Sequence, residues 1–259
     1  MRRLLTATAL IVMIGAVAPP AGAQVSAAYT DAVGNRWASV YDIAGLNWNE
    51  IAAVCPRDGY TACTGVLDGS DVSGWIWATQ EQVRALFKEV TGLGPELDQP
   101  QYREINSAWA PAALARLNVS GIAQGWVSAP DSDPLAHMAL IADNVNPASF
   151  DFVTIPFVAP KTFRAFWGTW LFTPSVSSVL AVINQIVLDG QVDQYVAAPL
   201  MQLLNLAQSS IDAGNTAAAR GQLLGFIREV EGRLRSGALS EANGRALIGL
   251  ASALRAQID

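Results

Sequence analysis

The sequence predicts an α+β fold, in which a domain of mixed and antiparallel strands is followed by a small antiparallel helical bundle. Two observations indicate this division. Up to about Pro174 the chain is rich in tryptophan, glycine and proline, and its apolar residues form short alternating runs, which are typical of strands. After Pro174 there is no tryptophan, Pro199 is the only proline, and alanine and leucine are abundant. We therefore expect a tryptophan-rich α+β domain over 24–174 and a helical bundle domain over 175–259.

The first 23 residues have the pattern of a secretory signal peptide. Two arginines precede an apolar stretch over 4–17, and Ala21-Gly22-Ala23 provides a small-x-small cleavage site. The apolar stretch is shorter than the ~20 residues that a membrane span needs. We therefore expect 1–23 to be removed, no membrane span to remain after cleavage, and the protein to be secreted or periplasmic.

In the predicted α+β domain, strands are expected where aromatic and β-branched residues are dense or alternate with polar ones. The expected strands lie at 36–41, 43–48, 121–128, 136–142, 150–158 and 163–172. The third and fourth form a hairpin around a turn that contains two prolines. A helix is expected after Thr79, because Thr79 and Gln82 fit a capping box and apolar residues follow at helical spacing.

The C-terminal part predicts helices whose apolar residues fall on one face. The expected helices lie at 176–188, 196–211, 216–234 and from the N-cap candidate Ser240 onward. No such helix is stable alone, because its apolar face needs a partner. We therefore expect a compact antiparallel bundle of three or four helices that folds as a separate unit.

The net charge of the chain argues against some partners. The full sequence has a formal charge of −6, and removal of the two signal arginines would bring it to −8. The sequence contains no basic run, and Lys88 and Lys161 are its only lysines. Nucleic acid and strongly anionic, sulfated glycans are therefore not expected as partners.

Cys55 and Cys63 are the only cysteines in the sequence. In an exported chain, an even pair this close together indicates a disulfide that closes a short loop. A metal site needs four ligands, whereas the chain has one histidine and no second cysteine pair. We predict a Cys55–Cys63 disulfide, no metal ion and no other cofactor.

The sequence gives no catalytic set that we can assign. His137 is the only histidine, and it follows Asp131 and Asp133 in the hairpin, but no serine elbow accompanies it. The two aspartates fit a turn better than a calcium loop, because the full spacing of oxygen ligands is missing. We expect this hairpin not to be a catalytic centre.

Short segments of the N-terminal part resemble the Lcl C-terminal domain, a family named for a bacterial collagen-like surface protein. Residues 41–48 resemble its opening D-x-x-T-G-L-x-W, and residues 73–87 resemble its segment G-W-R-x-(P/A)-T-x-x-E-(V/L)-x-x-L. Gly125-Trp126 and 168–171 fit the same pattern. The resemblance covers about residues 30–172.

The C-terminal part resembles the FIMAH domain. Residues 215–230 resemble its core G-x-x-x-A-A-x-x-x-L-x-x-F-I-x-x-V, and 237–240 with 246–251 continue the resemblance over about 177–257. This resemblance implies a small helical accessory module of exported and cell-surface proteins, including glycan-active ones. It implies no catalytic residues.

Three tryptophans are the candidate ligand-binding residues. Trp75 and Trp77 lie two apart, so on a strand their rings share one face and could form a flat platform for sugar rings. Trp126 lies in the hairpin that fits the Lcl pattern. The alternative, that these rings fill the core, stays open. The aromatic residues near the domain boundary are expected in the core: Phe163, Phe166, Trp167 and Trp170.

Together these patterns favour an exported, non-catalytic binding or adhesion-type protein. We expect its ligand to be an extracellular or envelope glycan or another cell-surface polymer, and the helical bundle could contact a protein partner. Two alternatives stay open: a secreted hydrolase of envelope or matrix polymers, and a structural matrix protein.

Overall fold

The strands lie in the N-terminal part of the chain and the C-terminal part is helical, so the predicted α+β class is confirmed. The computed structural model describes residues 23–130, 132–144, 150–164 and 166–258. The predicted signal, 1–23, lies outside these ranges except for its last residue, and so does Asp131 of the hairpin turn.

The described strands are short and form three sheets. They are β1 (Ala23–Gln24), β2 (Ala27–Thr30), β3 (Arg36–Ala38), β4 (Val66–Leu67), β5 (Ser70–Asp71), β6 (Ile76–Trp77), β7 (Gln101–Ile105), β8 (Ile122–Val127), β9 (Leu135–Ala142), β10 (Phe150–Pro160), β11 (Gly168–Thr169) and β12 (Leu171–Thr173).

The largest sheet has five strands in the order β11-β8-β9-β10-β7. Its neighbours are antiparallel except β11, which runs parallel to β8. The predicted hairpin is confirmed, since β8 and β9 pair with Gln124 opposite Leu140. A second, antiparallel sheet has the order β2-β3-β12-β6, and β1, β5 and β4 form a small third one.

Two of the predicted strands differ from the structure. The segment 43–48 leads into a short helix, α1 (Trp48–Ala52), because Asn47 and Glu50 cap each other's backbone N–H groups at 3.1 and 2.9 Å. In the segment 163–172, the described residues before 168 belong to no strand, and β11 and β12 follow.

Helices α2 (Gln80–Thr91) and α3 (Trp109–Arg116) pack on one face of the large sheet. The predicted capping box is confirmed, since the Thr79 side chain accepts from the backbone of Gln82 and the Gln82 side chain accepts from the backbone of Thr79. Side chains alternate between the two faces of a strand. The opposite face of the large sheet therefore carries a second apolar cluster, which contains most of the tryptophans.

The C-terminal helices form a closed four-helix bundle. They are α4 (Val176–Leu188), α5 (Gln194–Asp212), α6 (Thr216–Arg235) and α7 (Glu241–Ala256). Consecutive helices pack against each other and α4 also packs against α7. The short connections make sequential neighbours antiparallel. Phe226 of α6 is fully buried, as is Leu247 of α7.

The bundle meets the strand-rich part along a contact that we call the seam. Ser175 Oγ donates to the Val33 carbonyl oxygen at 2.7 Å. Buried apolar residues of α4 and α7 belong to the same cluster as Phe172 of β12. Tyr60 contacts α7 at Gly249, where a Cβ would lie 2.7 Å from the Tyr60 carbonyl oxygen. Independent folding of the bundle, and the domain limits 24–174 and 175–259, stay predictions.

Substitution of Gly249 tests the seam. Alanine normally stabilises a helix interior by about 0.5–1 kcal/mol over glycine. Gly221→Ala in α6 should show this gain, because no heavy atom lies within 4 Å of its added Cβ. Gly249→Ala should instead lower the melting temperature of the whole chain, because the added Cβ would overlap Tyr60. Circular dichroism melts measure both variants, and an equal gain in the two would contradict the seam contact.

Candidate functional site

The three tryptophans predicted to bind ligand lie in the core. Trp75 is 5 % exposed, and Trp77 and Trp126 are fully buried. Nε1 of Trp77 donates to the Trp126 carbonyl oxygen at 3.1 Å, and Nε1 of Trp126 donates to the Leu46 carbonyl oxygen at 3.0 Å. Rings that are covered and hydrogen-bonded in this way offer no face to a sugar. The predicted platform is therefore wrong, because all three rings are buried.

A different group of aromatic rings reaches the surface above this core. We call Phe157, Phe163, Phe166 and Trp167 the ring cluster. Phe157 and Phe163 are 46 % and 43 % exposed, and Phe166 is 93 % exposed. Trp167 is half-buried, with its ring centroid 5.0 Å from that of Trp126. The expectation that the aromatic residues near the boundary are core holds for the fully buried Trp170 but is wrong for Phe163 and Phe166.

Trp167 contacts two of the phenylalanines of the ring cluster. Its centroid lies 5.1 Å from that of Phe163 at an interplanar angle of 45°, and 6.1 Å from that of Phe157 at 87°. The Trp167 ring is therefore inclined to the rings of Phe163 and Phe157, and we call these three rings the ridge. Tilted and edge-to-face pairs of this kind are favourable for aromatic rings.

The backbone explains why these rings face solvent. The register between β10 and β9 shifts between Thr154 and Phe157, and such an irregularity turns the following side chains. Beyond β10, Phe163 N donates to the Pro160 carbonyl oxygen at 2.8 Å, which closes a turn. Gly45 N donates to the Trp167 carbonyl oxygen at 3.2 Å and fixes the far end of the loop. The loop is therefore anchored on both sides of the rings.

Three basic side chains contact the short helix α1, and we call Arg57, Lys161 and Arg164 the basic rim. Lys161 Nζ lies 4.4 Å from the centroid of the Trp48 ring, and Arg57 Cζ lies 5.4 Å from it. Arg164 forms an ion pair with Glu50, two residues beyond Trp48. The sequence shows no basic patch, because Arg57 lies far from the other two residues in the chain. The fold brings them to one place.

A disulfide loop positions one member of the rim. Cys55 and Cys63 are bonded, with their Cα atoms 4.1 Å apart, so the predicted disulfide is confirmed. Inside the loop, the Asp58 carboxylate accepts from Tyr60 N at 3.0 Å, from Thr61 N at 2.8 Å and from Thr61 Oγ1 at 2.7 Å. The cross-link and these bonds fix a loop that presents Arg57 to Trp48 and Tyr60 to α7.

His137 is paired with a turn carboxylate. Its Nε2 lies 2.7 Å from Oδ2 of Asp133, whose Oδ1 accepts from Leu135 N at 2.9 Å. The bond from Leu135 holds the pKa of Asp133 below its ordinary value, and the charges of His137 and Lys161 act in the same direction. Among the described residues, no group of three or more histidine, cysteine, aspartate or glutamate side chains is placed to hold a metal ion. That the hairpin is not catalytic stays a prediction.

The carboxyl groups of Asp143 and Asp151 are hydrogen-bonded to each other. Burial alone raises the pKa of Asp151, but bonds from Asn144 N at 2.7 Å and Ser107 N at 2.6 Å outweigh it, so the pKa lies below its ordinary value. Burial, and then the charge and hydrogen bond of Asp151, raise the pKa of Asp143. Of the two carboxyl groups, Asp143 is therefore the one that takes up a proton more readily. Glycosidases hold two carboxyl groups ~5–9.5 Å apart around a substrate, whereas this pair is in direct contact and Asp151 is 1 % exposed.

Comparison with known families bears on the helical part. Residues 176–256 match the family model of the FIMAH domain. The match spans the four helices α4–α7, about a third of the chain, and supports the resemblance seen in the sequence. The Lcl-like resemblance of the N-terminal part has no such support and stays a prediction. No curated protein matches the chain.

The helical bundle borders a cleft at the seam. The cleft has a volume of about 500 Å³ and lies between the disulfide loop and α7, with Asp58, Tyr60, Arg245 and Ser252 in its walls.

Across the described ranges, the structure contains no helix with the length and apolar character needed to cross a bilayer.

The disulfide is expected to contribute about 2–3 kcal/mol to the free energy of unfolding, because it closes a short loop in the unfolded chain. A variant with Cys55→Ala and Cys63→Ala should therefore melt at a lower temperature than the parent protein. Reduction of the parent with dithiothreitol should produce a similar loss, and the reductant should leave the variant unchanged. A double variant as stable as the oxidised parent would contradict this contribution.

The carboxyl pair predicts opposite effects for two similar substitutions. The raised pKa of Asp143 means that its contribution to stability is present when it is protonated and is lost as the pH rises. Asp143→Asn keeps a neutral donor, so it should raise the melting temperature at about pH 7 more than at about pH 4.

The lowered pKa of Asp151 has the reverse sign, with stability lost as the pH falls through the folded pKa. Asp151→Asn should therefore lower the melting temperature at about pH 7, with a smaller deficit at about pH 4. Thermal melts at the two pH values measure both variants. Equal effects of the two substitutions at neutral pH would contradict this assignment of the proton.

Proposed function

We propose that the protein is an exported, non-catalytic binding protein and that its ring cluster contacts an extracellular or envelope glycan. The observation that carries the proposal is the exposure of Phe157, Phe163 and Phe166 around Trp167 on one anchored loop and strand end. Grouped apolar side chains at the surface of a soluble domain mark an interaction site, since water solvates them poorly.

The chemistry of the site suits a sugar. Sugar rings present C–H groups on their faces and hydroxyl groups at their edges, so they pack on aromatic faces and need polar side chains beside them. The ridge supplies the aromatic faces. Its border supplies charged and polar groups, since the Glu50–Arg164 ion pair and Lys161 belong to the loop or to the helix that it contacts.

The rings are positioned before any ligand binds. Trp167 packs on the buried Trp126 and contacts two of the phenylalanines, so the ridge rests on the core. Little side-chain freedom is then left to lose on binding, which favours affinity. The Cys55–Cys63 disulfide and the FIMAH match at 176–256 also support export, since disulfides persist in oxidising compartments and the resembling module belongs to exported proteins.

A glycan array with the purified chain, residues 24–259, tests the proposal. The double variant Phe163→Ala, Phe166→Ala should weaken binding of the retained glycans about tenfold, because each lost ring contact contributes about 0.5–1.5 kcal/mol. The matched control is Tyr195→Ala, which removes a 73 % exposed ring from α5 of the FIMAH domain. The control should bind within about twofold of the parent.

Three outcomes would overturn the proposal. Equal loss in the ring variant and the Tyr195→Ala control would show that the ring cluster is not the contact. Turnover of polymeric glycans by the purified chain, measured as released reducing ends, would favour the hydrolase alternative. If the chain binds no glycan but assembles with itself or with other matrix proteins, the structural alternative is favoured.

A further inference from the structure

We propose that the protein forms a two-fold dimer through the outer face of helix α5, with a second copy of this chain as the partner. The inference goes beyond the proposed glycan contact, because it concerns the helical bundle and needs no ligand. Helix α5 packs against α4 and α6. Its remaining side is exposed, and we call the following residues of that side the α5 face: Gln194, Ala198, Gln202, Asn205, Leu206 and Ser209.

The first observation is that the α5 face carries no charge. Charged residues make up 15 % of the chain, yet over 176–211 the only ones are Asp189 and Asp193, which lie between α4 and α5. Helices α6 and α7 carry nine charged residues: Arg220, Arg228, Glu229, Glu231, Arg233, Arg235, Glu241, Arg245 and Arg255. The solvent side of a surface helix is typically charged, whereas the centre of a protein interface is depleted of charge. The uncharged α5 face therefore indicates a surface that another protein covers.

Charge also indicates that this protein is a second copy. In a two-fold dimer the same patch meets itself, so a charged group close to the axis would face a like charge. The chain has a formal charge of −6, and two copies therefore repel each other over much of their surfaces. The α5 face avoids this repulsion. Its amide and hydroxyl groups each have a donor and an acceptor, so each can bond to its own copy.

The shape of the α5 face suits the packing of two antiparallel helices. Its residues recur at helical spacing and line a groove with a volume of about 400 Å³. Ala198 lies four residues before Gln202, and Leu206 lies four residues after it. A two-fold axis beside Gln202 would therefore place the small Ala198 of each copy opposite the half-exposed Leu206 of the other. Interlocking of large and small side chains is how packed helices fit together.

The size of this surface determines how strong the dimer is. Helix α5 has 19 residues, so it is about 28 Å long at 1.5 Å per residue. Neighbouring helices lie ~10 Å apart, so the α5 face and the adjoining side of α4 are together about 20 Å wide. Two such surfaces would bury roughly 1,100 Å² in total, which is at the low end for specific interfaces. We therefore expect a reversible dimer with a Kd of about 10 µM.

Sedimentation velocity of the mature chain, residues 24–259, tests the proposal in the absence of any glycan. The sedimentation coefficient should rise from the monomer value to the dimer value between about 1 and about 200 µM protein. Ala198→Glu should weaken the dimer about tenfold or more, because each copy would bury a carboxylate against Leu206 of the other. Added salt should not weaken the parent dimer, since it screens only the repulsion between the two acidic chains.

Ala242→Glu is the matched control, because Ala242 is an exposed alanine of α7 and receives the same charge. This variant should dimerise within about twofold of the parent. Tyr195→Ala should also remain a dimer, since Tyr195 does not line the groove and its loss adds no charge. Circular dichroism melts show whether each variant is folded.

Three results would overturn the inference, and none of them bears on the ring cluster. A chain that stays monomeric at about 200 µM has no dimer of the expected strength. Equal weakening by Ala198→Glu and Ala242→Glu would place the contact away from the α5 face. Species that keep growing beyond the dimer would exclude the two-fold arrangement, because a closed dimer leaves no α5 face free. Failure of the glycan proposal is measured separately, on the glycan array.

Discussion

Each buried tryptophan needs a hydrogen-bond acceptor for its indole N–H, and the structure depends on how this need is met. Four buried indoles meet this requirement with main-chain carbonyl oxygens: Trp48 with Val127, Trp77 with Trp126, Trp126 with Leu46 and Trp170 with Ala139, at 3.0–3.1 Å. Many of the surrounding strands have only two or three residues and are weak as isolated ladders. The indole bonds therefore tie loops and strands that backbone pairing alone would hold loosely.

The candidate site is an extension of this buried network. Within the core, the Trp126 carbonyl oxygen accepts from the Trp77 indole, and the Trp126 indole donates to the Leu46 carbonyl oxygen. The Trp126 ring packs against Trp167 at the surface. Trp48 has the same double role, since its N–H is satisfied inside while its ring lies beneath two cations of the basic rim. Trp126, one of the three tryptophans predicted to bind ligand, thus supports the exposed rings from below.

The sequence predicted what depends on local pattern. Helical spacing and caps located α2 and α4–α7, the proline-bracketed turn located the hairpin, and the cysteine pair predicted its own bond. It failed where the answer depends on the environment of a side chain. Alternation puts Trp75 and Trp77 on one side of a strand but does not tell which sides are covered. Aromatic content does not indicate that Phe166 is exposed, and composition does not indicate that Arg57 and Lys161 both lie over the Trp48 ring.

The contact of Gly249 with the Tyr60 carbonyl has a consequence for domain exchange. Helical modules of this size are easily joined to a new partner by their ends, because the junction is a single stretch of chain. Here the module also rests on its neighbour through a helix position that has no room for a side chain. A foreign module with a larger residue at that position could be fused to this chain and fold, yet it would not seat against the disulfide loop. The contact between the helical bundle and the disulfide loop therefore depends on the glycine at position 249.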